Sequence, residues 1–204
     1  MPIELPVSSS CDICTTMNPT DADANSRPEI VEQYRDYSPP VRLKKWVETL
    51  LESVPPKYTV GLKTVVLTNQ SALARNQRRQ KIWQRGRKHR LANARGAYYR
   101  ATRSTPAAVW LYVDNILQSQ PGWTLRVPIL RYLSLGPVLY HEIGHHIHAV
   151  HRPVYDGKEN VAEKWSSYLS GQFLRKHYWY ARPVLYMMWL MIRVIKRVER
   201  QVNK

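Results

Sequence analysis

The sequence predicts an α+β domain with a small β-sheet. Three observations carry that expectation: apolar residues at helical spacing over residues 41–54, β-branched or alternating runs over 58–67 and 107–114, and a histidine-bearing helix opening near Leu135. Composition permits it. With 204 residues, 44% of them apolar, and seven Trp beside thirteen Tyr, the chain is too apolar for a disordered polymer and long enough to bury one core.

Residues 1–40 read as an acidic, disordered tail. They hold seven acids against Arg27 and Arg35 and are closed by Ser38-Pro39-Pro40. Cys11 and Cys14 form a lone CxxC in this stretch. No second ligand pair follows to make a zinc ribbon, and two cysteines cannot make a disulfide framework, so the pair is expected to be reduced and without a role. The opening Met-Pro-Ile-Glu-Leu-Pro lacks the basic and apolar regions of a secretory signal, which leaves an intracellular, cytoplasmic protein as the expectation.

The domain is expected over residues 41–204. Val41, Trp46, Val47, Leu50 and Leu51 recur at the helical period, and Pro55-Pro56 stops the helix. A strand follows over 58–67, dense in β-branched residues at Thr64-Val65-Val66, and Asn69-Gln70-Ser71 breaks it. Residues 75–103 read as a basic insertion, of which 75–90 has too few apolar residues for a wide buried face and is expected as a solvated helix or long loop. Strands are expected at 97–102 and 107–114; in the second, Val109, Leu111 and Val113 alternate with Trp110 and Tyr112, and Asp114-Asn115 closes it. The run from Leu135 to Tyr140 then opens a helix with Pro137 near its first turn.

That helix carries His141-Glu142-Ile143-Gly144-His145, an HExxH motif. Histidines four residues apart lie on one helix face, so both imidazoles can address a single metal ion, and Glu142 is placed to take a proton from a metal-bound water. Zinc suits two imidazoles and a carboxylate with one position left open, and it lowers the pKa of bound water to about 7. A third ligand is needed, and three residues compete. Glu159 and Glu163 lie one turn apart on a following helix; with Glu159 as ligand, Glu163 is an acceptor that holds a ligand histidine by its other ring nitrogen. His151 completes the spacing HExxHxxGxxH, but His148 stands where that pattern has glycine.

Residues 138–174 resemble the zincin metallopeptidases, and within them the gluzincins, in which an HExxH helix is followed by a helix bearing ExxxD or a close variant. Glu159-x-x-Ala162-Glu163 is similar to the ExxAD form with Glu in place of Asp, and the order of elements is similar to minimal bacterial metallopeptidase domains. The resemblance implies a zincin-like fold and a zinc-dependent endopeptidase, with Glu142 as general base and acid. It also implies an edge strand, taken as residues 107–113, that receives extended peptide. Tyr168, His148, Tyr178 and Tyr180 are candidate donors to the oxyanion.

The net charge of +16 predicts an anionic partner but no chemistry. From Ser53 to Val113 there is no acid, and thirteen Lys and Arg fall in that block. The segment from Arg75 to Arg103 is therefore a candidate nucleic-acid contact, with Trp83 available to stack a base. The rival function is accordingly a nucleic-acid-binding or regulatory module whose metal site is not catalytic; a peptidase recruited to nucleic-acid-bound protein joins the two. Residues 184–202 read as a terminal helix, apolar all round in its first half and basic on one side in its second, packed beneath the domain or lying on a membrane surface.

Overall fold

The structure, a computed structural model, describes residues 27–84, 87–118, 120–151 and 158–181, with Met187 and Met191 beyond them. Cys11, Cys14 and most of the expected terminal helix at 184–202 lie outside the described residues. Among the described residues six strands, β1 (Glu29–Gln33), β2 (Leu62–Thr68), β3 (Lys81–Gln84), β4 (Arg87–Arg90), β5 (Gly96–Tyr99) and β6 (Ala107–Tyr112), form two sheets. The α-helices are α1 (Leu43–Glu52), α2 (Arg75–Arg79), α3 (Val113–Gln118), α4 (Pro128–His151) and α5 (Lys158–His177). The main sheet has the order β1-β2-β6-β5, with β1, β2 and β6 parallel and β5 antiparallel to β6. This is the expected α+β class.

Local sequence explains each element. Leu43, Trp46, Val47, Leu50 and Leu51 bury one stripe of α1 against the sheet and α4. Tyr140 Oη lies 2.7 Å from Ser53 Oγ and donates to the Leu50 carbonyl at 3.1 Å, tying α4 to the end of α1. Arg131 stacks 4.3 Å from the Trp46 ring, a second tie between the same helices. β2 starts later than expected because Pro56 opens a single 3₁₀ turn, Pro56–Tyr58. The chain then turns at Thr59-Val60-Gly61-Leu62, where the Leu62 N–H donates to the Thr59 carbonyl and Gly61 takes φ 80°. A positive φ at the third position is the backbone of a type II turn, for which glycine is suited.

Four expectations change. The tail does not run to residue 40: Glu29–Gln33 joins the sheet as β1, pairing in register with residues 64–68. With only Ile30 and Val31 apolar, this edge strand has weak alternation; its exit is held by Asn69, whose amide oxygen accepts from the Arg35 N–H and whose amide nitrogen donates to the Arg35 carbonyl. The basic stretch is neither a helix nor a loop throughout, since beyond α2 it forms an antiparallel ribbon of β3 and β4. Residues 107–113 are not an edge strand, because β6 is flanked by β2 and β5, and β5 holds the edge. The strand expected over 107–114 stops at Tyr112 and α3 begins at Val113; within it Asp114 accepts from the Gln70 N–H and Asn115 donates to the Ala92 and Ala94 carbonyls, fastening neighbouring loops.

The metal-motif helix is also longer than expected. It starts at Pro128, a suitable first helical residue, and carries Pro137 in its interior. Pro137 supplies no N–H to the Leu133 carbonyl, but Leu133 is exposed, so water can serve there. Ser166 Oγ of α5 donates to the Pro137 carbonyl at 2.8 Å, pinning the two helices together.

α4 and α5 approach closely at Gly144. A Cβ there would stand 2.8 Å from Ala162 Cα and 2.9 Å from its carbonyl oxygen, closer than carbon atoms tolerate. Among the described residues, no helix is long and apolar enough to cross a membrane. Gly144→Ala is expected to cost about 1–3 kcal/mol, the usual range for forcing a methyl into a packed contact. Denaturant unfolding of metal-free protein measures it, and an unchanged midpoint would show that the helices yield freely.

Candidate metal centre

The crossing at Gly144 sets the position of His141, His145 and Glu159, a group that could hold a metal ion. His141 lies three residues before Gly144 on α4, and His145 directly after it; Glu159 lies three residues before Ala162 on α5. Residues three apart share a helix face, so packing Ala162 against Gly144 brings Glu159 toward the histidine pair. The ligand atoms of His141, His145 and Glu159 all fall within 4.8 Å of one another. The two Nε2 atoms are 3.2 Å apart with rings nearly perpendicular, and each is 3.5 Å from one carboxylate oxygen of Glu159.

Those separations fit a metal ion. Ligands about 2.0–2.1 Å from a tetrahedral zinc are spaced about 3.3–3.4 Å from one another, close to the three distances found. Glu159 Oε2 is moreover buried without a hydrogen-bond partner, as an acceptor turned toward a cation would be. The side chains of His141, His145 and Glu159 are 12%, 18% and 33% exposed, so one side of the group stays open to solvent. The donor set of two imidazoles and a carboxylate is compatible with zinc and with other divalent first-row ions, and the geometry identifies the site without choosing between them.

The alternatives for the third ligand fall outside this group. His151 is exposed at the last residue of α4, and Glu163 is exposed on α5, beyond Ala162. The candidate oxyanion donors are dispersed. Tyr178 is buried among Tyr132 and Phe173, Tyr180 is largely exposed, Tyr168 accepts from Gln172 Nε2, and His148 is buried on α4.

Glu142 points away from solvent and is only 3% exposed. Burial, reinforced by the nearby Glu159 carboxylate, pushes its carboxyl up to about 8, against the backbone N–H of Tyr98, which donates to it and pulls the value down. β5 crosses directly over this side chain. A Cβ on Gly96 would be 2.9 Å from Glu142 Cγ and Oε1 and 3.0 Å from Val138 Cγ1, so glycine is what lets the strand lie against the helix.

Two residues not singled out from the sequence complete the arrangement. His146 Nε2 donates to the Val60 carbonyl at 2.9 Å; its Nδ1, left as acceptor in the neutral ring, takes the Tyr98 hydroxyl proton at 3.2 Å. Burial lowers the His146 pKa and favours that neutral ring. Tyr98 therefore holds α4 twice, by its backbone at Glu142 and by its hydroxyl at His146. Its place in the strand expected at 97–102 was the available signal for Tyr98; nothing in the sequence separates His146 from its neighbour His145 except its position one residue off the HExxH face.

Metal analysis distinguishes the ligands. His141→Ala, His145→Ala and Glu159→Ala are each expected to fall from about one ion per chain to none, while Glu163→Ala and His151→Ala keep it; retention by Glu159→Ala would remove it from the site. Stability of the metal-free protein gives a second measurement. Unfolding lets Glu142 ionise at its ordinary value of 4.5, whereas the folded carboxyl holds its proton to about 8. Between those values the native state binds the extra proton, so stability falls as pH rises. Glu142→Gln is expected to remove one proton from that slope, and an unaltered slope would contradict the assignment.

Comparison of the chain with protein-family models, with curated proteins and with solved structures finds no match.

Proposed function

We propose that the chain is a zinc-dependent metallopeptidase of zincin-like fold that hydrolyses peptide bonds in protein or peptide substrates. The observation that carries this reading is the placement of a buried carboxylate, Glu142, between a three-donor group and an edge strand. A site that only stored metal would have no use for a carboxyl group desolvated beside its ligands, whereas hydrolysis needs a proton acceptor there.

Zinc, when bound, supplies a Lewis acid that polarises the scissile carbonyl and makes water acidic near neutrality. The remaining work belongs to the chain. His141, His145 and Glu159 hold the ion and leave one side open to substrate. Glu142 takes the proton of the attacking water and returns it to the amine nitrogen as the C–N bond breaks. Its elevated pKa suits that exchange, because the carboxyl must both gain and release a proton in one turnover. Tyr98 and Gly96 keep the carboxyl in place from β5. The substrate strand is β5 rather than β6: extended peptide adds to the unpaired edge of a sheet, and β5 lies at the edge beside α4.

Glu142→Gln is the decisive variant. It is expected to retain one zinc per chain and to lose at least a hundredfold in the rate of cleavage of an unfolded protein such as casein, in line with removal of a general base. Full activity in the zinc-loaded variant would refute the mechanism. No cleavage of any unfolded protein by zinc-loaded wild type would refute the activity.

A further inference from the structure

We infer that the ribbon of β3 and β4, with α2 at its base, is a docking surface for duplex DNA that engages the phosphate backbone. The inference uses no residue of the metal centre and does not depend on the peptidase reading.

The first observation is the charge of the sequence itself. No acid occurs between Ser53 and Val113, so no carboxylate neighbouring in sequence neutralises the ribbon. The register sets Lys81 opposite Arg90 and Trp83 opposite Lys88, and Gln84 opposite Arg87. By strand parity Lys81, Trp83, Lys88 and Arg90 occupy one face. Like charges directly opposite one another destabilise a strand pair, and a lone two-stranded ribbon is marginal in water. A polyanion laid on that face relieves both.

The second observation is anchorage. Leu73, Leu91 and Ala94 are buried with Tyr112 in a cluster separate from the main core, and the Leu91 N–H donates to the Gln80 carbonyl at 2.8 Å across the ribbon's base. α2 is locked to the same base by Arg78, which donates to the Leu73 and Ser71 carbonyls. Arg75 and Arg79 of α2, both exposed, add two cations to the segment that leads into the ribbon. The row is thus carried on paired backbone fixed to the domain.

Chemistry selects the occupant. Of the eight paired residues only Ile82 and Trp83 are apolar, too little to enter a lipid interface, which binds helices and segments with a broad apolar face. Duplex DNA presents one charge per about 1.7 Å, matching a row of cations, and its major groove, about 12 Å wide, admits a two-stranded antiparallel ribbon. The deep, narrow major groove of duplex RNA does not.

The test measures binding of the full chain to a labelled 20-base-pair duplex by fluorescence anisotropy across a salt series. Wild type is expected to bind with a steep negative salt slope. The variant K81Q/K88Q/R90Q is expected to lose affinity by on the order of a hundredfold or more, with the slope shallower by about 0.9 for each phosphate contact removed. Single variants K88Q and R90Q, each expected to lower the slope by about 0.9, keep the test open if the triple variant does not fold. K44Q/K45Q/R126Q removes equal charge from exposed positions elsewhere and is expected to keep the affinity. Equal loss in that control would reduce the effect to net charge and overturn the inference. So would absence of salt-dependent binding, or equal binding of single-stranded DNA, duplex RNA or phosphatidylserine vesicles.

Discussion

The close contact of α4 with α5 at Gly144 and Ala162 is the constraint on which the candidate metal centre depends. A side chain at position 144 would meet the backbone of α5. Here a missing Cβ lets one helix reach the backbone of the other, and that contact brings a glutamate on α5 to the histidines on α4. The Ser166 bond to the Pro137 carbonyl fixes the crossing two turns away, so the helices are held at two points and cannot pivot about one. Gly144 thus belongs to the geometry of the site although it offers no ligand atom.

The same economy governs Glu142. Leaving a carboxyl group buried is costly unless something holds it, and the holding comes from β5 through the Tyr98 N–H. β5 in turn is kept against α4 by the Tyr98 hydroxyl on His146, which reaches across to the Val60 carbonyl exposed by the Gly61 turn. Turn, strand and helix form a closed circuit of polar contacts around one acidic side chain. A rigid surround of this kind sets proton affinity more firmly than any one neighbouring charge.

Much of this was legible in the residues. The amphipathic stripe of α1, β2 and the alternation in β6 gave their elements because local pattern and burial agree there. His141, Glu142 and His145 were legible because one helical turn is a local distance, and Glu159 was legible only as one of three choices, since its meeting with the histidines is a tertiary event settled at Gly144. What could not be read was everything decided by pairing between distant segments. β1 has two apolar residues and acquires its place from β2 and Asn69. The identity of the edge strand follows from sheet order, which no strand's own sequence contains. The ribbon carries so many charges that its composition resembled a solvated insertion, and only its register reveals strands.

β6 has a property that reaches beyond its place in the sheet. Val109 and Leu111 face the main core, whereas Trp110 and Tyr112 pack on the cluster of Leu73, Leu91 and Ala94. One strand therefore acts as a partition between two hydrophobic compartments, with the His141, His145 and Glu159 group built on one and the basic ribbon on the other. Because parity assigns each residue of β6 to one compartment only, the strand is a shared wall between two rooms, and a substitution at Val109 or Leu111 meets different neighbours from one at Trp110 or Tyr112.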